Sequence, residues 1–220
     1  MPFLSKATGV PLADIATKVM LGQSLREQGI TDVMAPQKEK WYVKAPAFSF
    51  SKLRGMDAYL TPEMKSTGEA IGYDKSLTRA LYKAMQSSGM RMANYGTLFA
   101  TIADCDKEEA LPLIRRFYDL GFNIEATHGT ADFLKKHGIR TRTRQKISAG
   151  SEEILNSIRQ GHVNYVINTR EAAGSHASDG AEIRRCAVEN NVTMFTALDT
   201  VRVLLDVLEE ITLCISTIDS

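Results

Sequence analysis

The residues with the clearest chemical potential form the sequence T-H-G-T from Thr127 to Thr130. An apolar run at 122–126 precedes them, and a helical pattern follows from Ala131. The first N–H groups of a helix lack partners within it and carry partial positive charge, so a phosphate can bind there. Thr127 and Thr130 would add hydroxyl donors, and Gly129 would let the backbone approach closely. The alternative is that one of these threonines only caps the helix.

The elements that must position this motif alternate regularly after Tyr95. Apolar runs at 98–103, 122–126, 163–167 and 192–195, together with an alternating stretch at 139–147, predict five strands, and helical patterns follow each of them. Strands that alternate with helices through short connections are typical of βαβ units. The sequence therefore predicts an α/β fold, with a five-stranded parallel sheet and helices on both faces.

Ligands bind beyond the carboxyl ends of the strands in such a sheet, so the residues that follow each strand form a candidate site. They are hydroxyl, amide and ammonium donors, which suit a phosphorylated ligand, and no pair of carboxylates faces them. Each has a structural alternative, as a solvated lysine for Lys107 or as turn residues for Asn168 and Thr169. The candidates are Thr101, Lys107, Thr127, His128, Gly129, Thr130, Lys146, Asn168, Thr169 and Thr196.

Further charged residues surround these candidates. Arg140, Arg142, Arg144 and Lys146 alternate, which places them on one face of a strand. We interpret Arg140 and Arg142 as the charged protection of an edge strand, and Lys146 as a ligand contact. His128 either donates to a phosphate or only packs. We interpret Asp179, Arg184 and Arg185 as serving a helix cap and its surface.

The composition excludes several classes of protein. The chain has 220 residues, 44% hydrophobic and 24% charged, with a net charge of +1, which indicates a globular protein without bulk nucleic-acid binding. No apolar run reaches the length of a membrane span. Cys105, Cys186 and Cys214 are far apart, so we interpret each as a buried or half-buried small side chain in a cytoplasmic protein. No spacing indicates a metal site.

Residues 1–90 differ in organisation from the rest. The region has two helical segments, an extended piece at 41–50 and a glycine-rich loop at 54–72. These elements are too few to form an independent domain. We expect them to be the end of a domain whose body lies upstream of Met1.

Six stretches of this chain resemble the C-terminal part of the large chain of carbamoyl-phosphate synthase. They are P-F-L-S-K-A-T-G-V-P-L-A (2–13), P-E-M-K-S-T-G-E-A-I-G (62–72), D-K-E-E-A-L (106–111), G-F-N-I-E-A-T-H-G-T-A (121–131), V-I-N-T (166–169) and I-R-R-C-A (183–187). Together these stretches span nearly the whole chain, and their order and spacing support the resemblance. Gln145 and Arg170 depart from residues that are frequent in the family, which leaves the identity of the effector open.

This resemblance implies two regions. Residues 1–90 would be the α+β tail of an ATP-grasp synthetase domain, and residues 91–220 a regulatory domain with a methylglyoxal synthase-like fold. In the family that domain binds nucleotide effectors, such as UMP or UTP as inhibitor and in some members IMP. By matching position, the effector contacts would be Lys107, Thr127, Thr130, Lys146, Asn168 and Thr169, with Thr101, His128 and Gly129 lining the site. Thr196 matches a residue near an ornithine-binding interface.

The resemblance also implies the parent activity, which is the ATP-dependent synthesis of carbamoyl phosphate for pyrimidines and arginine. Its partners would be the upstream synthetase domains and a glutamine amidotransferase small chain. ATP and Mg or Mn would serve the full-length enzyme, and this chain would hold no cofactor. We expect the chain to be a fragment without synthetase activity of its own.

Two other functions remain as alternatives. A phosphate-elimination enzyme resembling methylglyoxal synthase would need a carboxylate base at the strand ends, and the S-G-P-x-G-G loop of that family is absent. Nucleic-acid binding through residues 140–146 ranks last, because no aromatic residues are interleaved with the charges.

Overall fold

A computed structural model describes residues 2–31, 39–47, 68–169 and 179–213 of the chain. The described residues divide into two compact units, one within 1–47 and 68–88 and the other from Gly89 onward. Most of the predicted glycine-rich loop at 54–72 lies outside the described residues, as do Arg170 and Cys214.

The described residues of the first unit form three α-helices and a two-stranded antiparallel sheet. Its elements are α1 (Pro2–Thr8), α2 (Leu12–Met20), β1 (Trp41–Ala47), β2 (Gly68–Asp74) and α3 (Leu77–Ser87). Helix α3 packs against β2 at Gly72, where a Cβ atom would lie 2.1 Å from the carbonyl oxygen of Ala80 and 2.4 Å from the backbone nitrogen of Ala84. Only glycine permits this approach.

The second unit alternates strands and helices in the predicted order. Two short 3-10 turns, Asp104–Asp106 and Ile147–Ala149, interrupt the pattern. The elements are β3 (Thr97–Thr101), α4 (Lys107–Asp119), β4 (Asn123–Thr127), α5 (His128–Lys136), β5 (Thr141–Arg144), α6 (Glu153–Arg159), β6 (Tyr165–Asn168), α7 (Asp179–Glu189), β7 (Thr193–Phe195) and α8 (Leu198–Leu213).

The five strands form one parallel sheet in the order β5-β4-β3-β6-β7. The predicted parallel five-stranded sheet is therefore confirmed. The chain moves outward from β3 to β4 and β5, then returns to the other side of β3 at β6. In sheets of this kind, ligands bind beyond the carboxyl ends of the strands at such a reversal, which here lies between β3 and β6.

Helices cover both faces of this sheet, as predicted. On one face α4 contacts both α5 and α8, and the ring of Tyr165 packs against Phe117 and Phe122. On the other face α6 contacts α7, and Phe99 and Val166 join their buried apolar side chains. Burial of both faces makes the central strands β3 and β6 almost continuously apolar.

The two described cysteines differ in environment. Cys186 is buried on α7, and burial raises the pKa of its thiol. Cys105 is exposed in the 3-10 turn before α4, so the expectation of a buried or half-buried side chain is wrong there. None of the described helices combines the length and apolar character needed to cross a bilayer.

Candidate functional site

The carboxyl ends of the three adjacent strands β4, β3 and β6 bring polar side chains together. Thr101 is paired in register with Asn168 across β3 and β6. On its other side, Thr127 ends β4, and the hydroxyl oxygens of Thr127 and Thr101 lie 3.4 Å apart. We call this group of side chains the strand-end cluster: Thr101, Lys107, Thr127, Thr130, Asn168 and Thr169.

Helix α5 begins at His128, three residues earlier than the predicted start at Ala131. Thr127 occupies the N-cap position, but its side chain forms no capping hydrogen bond. Thr130 is buried, and its hydroxyl accepts a hydrogen bond from the backbone N–H of Ile102 at 3.1 Å. Thr130 therefore ties the first turn of α5 to the end of β3.

Lys107, the first residue of α4, directs its ammonium group at the start of α5. Its Nζ atom donates to the carbonyl oxygen of Gly129 at 3.1 Å and lies 2.6 Å from Asp104 Oδ1. The Lys107 side chain is only 17% exposed, whereas that of Asp104 is 83% exposed. A fixed positive charge therefore lies beside the N-terminus of α5, where an anion is also favoured by the helix dipole.

Lys146 approaches the same region from β5. It follows β5 by two residues and is exposed, and its ammonium group forms no hydrogen bond or ion pair with another described residue. The pKa of the Asp104 carboxyl is lowered first by the hydrogen bond from Lys107, and in smaller part by the charge of Lys146. The positive charges of both lysines therefore stabilise the charged form of the Asp104 carboxyl.

Thr169 joins the ends of β3 and β6. Its hydroxyl accepts a hydrogen bond from the backbone N–H of Ala103 at 2.8 Å, and its own N–H donates to the carbonyl oxygen of Thr101 at 3.2 Å. These bonds fix the backbone between β3 and α4, which carries Asp104 and leads to Lys107.

Asn168 is held by a residue that the sequence analysis placed on the surface. Arg184 of α7 is 2% exposed, and its Nη1 atom donates to Asn168 Oδ1 at 2.6 Å. The assignment of Arg184 to a cap or surface is therefore wrong. An available signal was its spacing, since Gly180, Arg184 and Ala187 share one helical stripe with the buried Ile183.

The other predicted residues lie around the cluster. His128 is exposed, with Nε2 3.5 Å from Asp132 Oδ2. Asp179 accepts hydrogen bonds from the backbone N–H of Ser148 at 3.1 Å and from its hydroxyl at 2.9 Å, so it links α7 to the second 3-10 turn. Thr196 follows the edge strand β7, next to β6.

The alternating basic residues divide between surface and interior. Arg140, which precedes the edge strand β5, and Arg142, which lies within it, are both exposed, as interpreted. Arg144 is mostly buried, and it donates two hydrogen bonds of 2.8 Å to the buried carboxylate of Glu125. Arg144 therefore stabilises the pairing of β4 with β5.

Comparison with known proteins classifies the second unit. Residues 109–196 match the family model of the MGS-like domain. This region is therefore similar to the MGS-like domain. Among solved structures, methylglyoxal synthase from Elizabethkingia anophelis NUHP1 is 19% identical, with a TM-score of 0.45, over 52% of this chain and 79% of that chain. The MGS-like fold places the strand-end cluster at the carboxyl edge of its sheet.

The chemistry available at this edge is the binding of an acceptor-rich anion. Lysine and hydroxyl donors surround the start of α5, and charge-assisted bonds to phosphoryl oxygens are the stronger kind. Among the described residues, no group of three or more His, Cys, Asp or Glu side chains could hold a metal ion.

Proposed function

We propose that this chain is the regulatory C-terminal region of a carbamoyl-phosphate synthase large chain, and that its MGS-like domain binds a nucleotide effector by the phosphoryl group. The observation that carries the proposal is the convergence of Lys107, Thr127 and Asn168 at adjacent strand ends. The six family-like stretches of the sequence support the parent enzyme. The effector would be a pyrimidine nucleotide such as UMP or UTP, or IMP.

The charge arrangement favours reversible binding over catalysis. Asp104 is the carboxylate nearest to Lys107, and the hydrogen bond from Lys107 lowers its pKa. A general base works best when its pKa lies near the operating pH, so lowering the pKa makes Asp104 a weaker base. The carboxylate of Glu125 accepts two hydrogen bonds from Arg144. Neither carboxylate is prepared to remove a proton from a substrate.

The proposal also assigns partners. Effector binding regulates synthesis only if the two states of an attached synthetase differ in affinity for the effector. The upstream synthetase domains and the glutamine amidotransferase small chain, in a cytoplasmic enzyme that uses ATP with Mg or Mn, would supply those states. The role of residues 1–90 would be to join the MGS-like domain to the ATP-grasp body.

Calorimetric titration of the chain with UMP, UTP and IMP tests the proposal. Lys146→Ala should weaken the binding of the preferred nucleotide by about 1–3 kcal/mol, because a charge-assisted phosphate contact is lost. Lys136→Ala is the matched control, since it removes one exposed ammonium from the end of α5. Absence of binding by the wild-type chain, or equal losses in both variants, would contradict the proposal.

The MGS-like domain itself favours one second candidate, a phosphate-elimination enzyme. Its substrate would be a small phosphorylated ketone such as dihydroxyacetone phosphate. Incubation of that compound with the chain, followed by measurement of methylglyoxal and free phosphate, separates the two functions. Turnover above the uncatalysed rate would replace the regulatory proposal.

A further inference from the structure

The contact between Arg184 and Asn168 determines which way the Asn168 amide points. A guanidinium group has N–H donors and no acceptor, so the atom of the amide that faces it must be the oxygen. The 2.6 Å bond from Arg184 Nη1 to Asn168 Oδ1 meets this requirement. The NH₂ group of Asn168 is therefore turned away from the guanidinium.

This orientation leaves the Asn168 NH₂ group without an acceptor among the described residues. Asn168 is 2% exposed, and among the described residues no acceptor receives a hydrogen bond from its Nδ2 atom. Buried amide donors are costly when they stay unpaired. Asn168 also ends β6 beside Thr101, at the point where the strand order reverses. A bound acceptor at this position would satisfy the amide.

Gly180 keeps this arrangement in place from the first turn of α7. A Cβ atom at residue 180 would lie 3.1 Å from Asn168 Nδ2, 3.2 Å from Arg184 Nη1 and 3.4 Å from Asn168 Oδ1. The absence of a side chain therefore leaves just enough room for the amide and the guanidinium together. Gly180 also lies one helical turn before Arg184, so both belong to the same stripe of α7.

We propose that Arg184 is a positioning residue, and that with Gly180 it fixes the Asn168 amide as a hydrogen-bond donor to an oxygen acceptor of the ligand. This inference rests on the proposed nucleotide-binding function. It adds that the group of the ligand beside β6 is an acceptor, a phosphoryl or carbonyl oxygen, and excludes an amino group there. It also makes α7 part of the binding apparatus, although Arg184 itself touches no ligand.

Four variants of the full chain test this inference by calorimetric titration with UMP, UTP and IMP. Arg184→Gln removes the guanidinium and should weaken nucleotide binding by roughly tenfold or more. Arg184→Lys keeps the charge without the planar group and should recover part of the loss. Arg185→Gln is the matched control on the exposed neighbouring position and should bind as the wild type does.

Gly180→Ala separates positioning from stability. Alanine has the higher helix propensity, so α7 should be at least as stable as in the wild type, whereas the added methyl group must displace the Asn168 amide. We expect an unchanged or higher thermal midpoint together with weaker binding. In proton–nitrogen correlation spectra, the side-chain NH₂ signals of Asn168 should shift in Gly180→Ala and Arg184→Gln, but not in Arg185→Gln.

The outcomes distinguish this inference from the proposed function. If the wild type binds a nucleotide and Arg184→Gln and Gly180→Ala bind it equally well, the positioning role is overturned and the regulatory function stands. If the wild type binds none of the three nucleotides, the proposed function fails, and the role of Arg184 fails with it. A loss of binding in Arg184→Gln that only follows a loss of folded protein, with Gly180→Ala unaffected, would also overturn the positioning role.

Discussion

At the residue scale, Lys107 has two partners with opposite consequences for an incoming anion. Its hydrogen bond to the carbonyl oxygen of Gly129 holds the ammonium at the start of α5. Its contact with Asp104 neutralises part of the charge that an anion would meet. Under the proposed function, Asp104 would therefore compete with the phosphoryl group of the ligand for Lys107.

Replacement of this competitor is predicted to strengthen binding. Asp104→Asn should raise the affinity for a nucleotide monophosphate by roughly two- to fivefold, because an exposed ion pair contributes little and removal of its negative charge favours the ligand. The control is Asp106→Asn in the same turn, since its carboxylate caps no backbone group of α4. Titration at low salt measures both variants. Weaker binding in Asp104→Asn would show that the carboxylate assists the ligand.

The pH dependence of this competition follows from the direction of the pKa shift. Lys107 lowers the pKa of Asp104, so the carboxylate keeps its charge to a lower pH than an ordinary aspartate. The phosphate of the ligand titrates alike with both proteins, so the affinity difference between the wild type and Asp104→Asn isolates Asp104. Mild acidification should leave this difference unchanged, and it should shrink only below the usual carboxyl range. Titration across the acidic range compares the two proteins.

Asn168 allows a test of donor chemistry with almost no change of shape. Asn168→Asp should keep the fold, because Arg184 would then bond a carboxylate in place of an amide oxygen. Anion binding should fall by roughly tenfold or more, since the NH₂ donor becomes a negatively charged acceptor. Urea unfolding and calorimetry together measure this. Unchanged affinity would place the ligand away from Asn168.

At the element scale, Tyr165 joins the β6 strand to the segment before β3. Its ring packs between Phe117 and Phe122, and its hydroxyl accepts from the N–H of Ala93 at 2.7 Å and donates to the carbonyl oxygen of Ala93 at 2.8 Å. Tyr165 therefore links the start of β6 to the segment that precedes β3. Burial raises the pKa of this phenol to about 12.

Tyr165→Phe should lower the free energy of unfolding by about 1–3 kcal/mol, because the backbone groups of Ala93 lose their partner while the ring stays packed. Tyr95→Phe makes the same chemical change at a residue that is 76% exposed, and should have almost no effect. Urea denaturation of the three proteins measures the difference. Equal stability of both variants would mean that water replaces the Tyr165 hydroxyl without cost.

The raised pKa of Tyr165 also predicts an alkaline loss of stability. The ordinary pKa of a tyrosine is 10.0, and burial raises that of Tyr165 to about 12 in the folded protein. The stabilisation is complete below pH 10 and is lost as the pH rises through the folded pKa, because the unfolded chain ionises first. The wild type should therefore lose more stability between about pH 10 and pH 12 than Tyr165→Phe does, in urea unfolding at each pH.

At the scale of the whole molecule, the strand-end cluster belongs to one unit. The side chains of the cluster and their described bonding partners lie between Thr101 and Arg184, all within the unit that begins at Gly89. That unit has its own sheet, covered by helices on both faces. A domain with its own core can fold by itself.

A chain that begins at Gly89 should therefore keep its fold and bind the nucleotide with the affinity of the full chain, within about twofold. Thermal unfolding by circular dichroism and calorimetric titration measure these two properties. A truncated chain that stays folded but binds much more weakly would mean that residues of the first unit contribute to the site.

The order of the elements followed from local patterns in the sequence. Apolar runs of strand length, helical stripes between them and the glycines that end helices all depend on neighbouring residues, so five strands and their polar ends could be predicted. The T-H-G-T motif was found in the same way. Its helix start was placed at Ala131 because His128 and Gly129 resemble turn residues, whereas the fold begins α5 at His128.

Long-range contacts decided the rest. The sequence predicts a surface position for Arg184, because charged side chains are normally solvated. Only the packing of α7 beside β6 buries Arg184 against Asn168, which lies sixteen positions earlier in the chain. Likewise Arg144 belongs to an alternating basic set, and only strand pairing brings it to Glu125. The sequence by itself determined which residues stand at strand ends. The tertiary structure decided which of them face one another, because contact between distant segments depends on sheet order and helix packing rather than on local pattern.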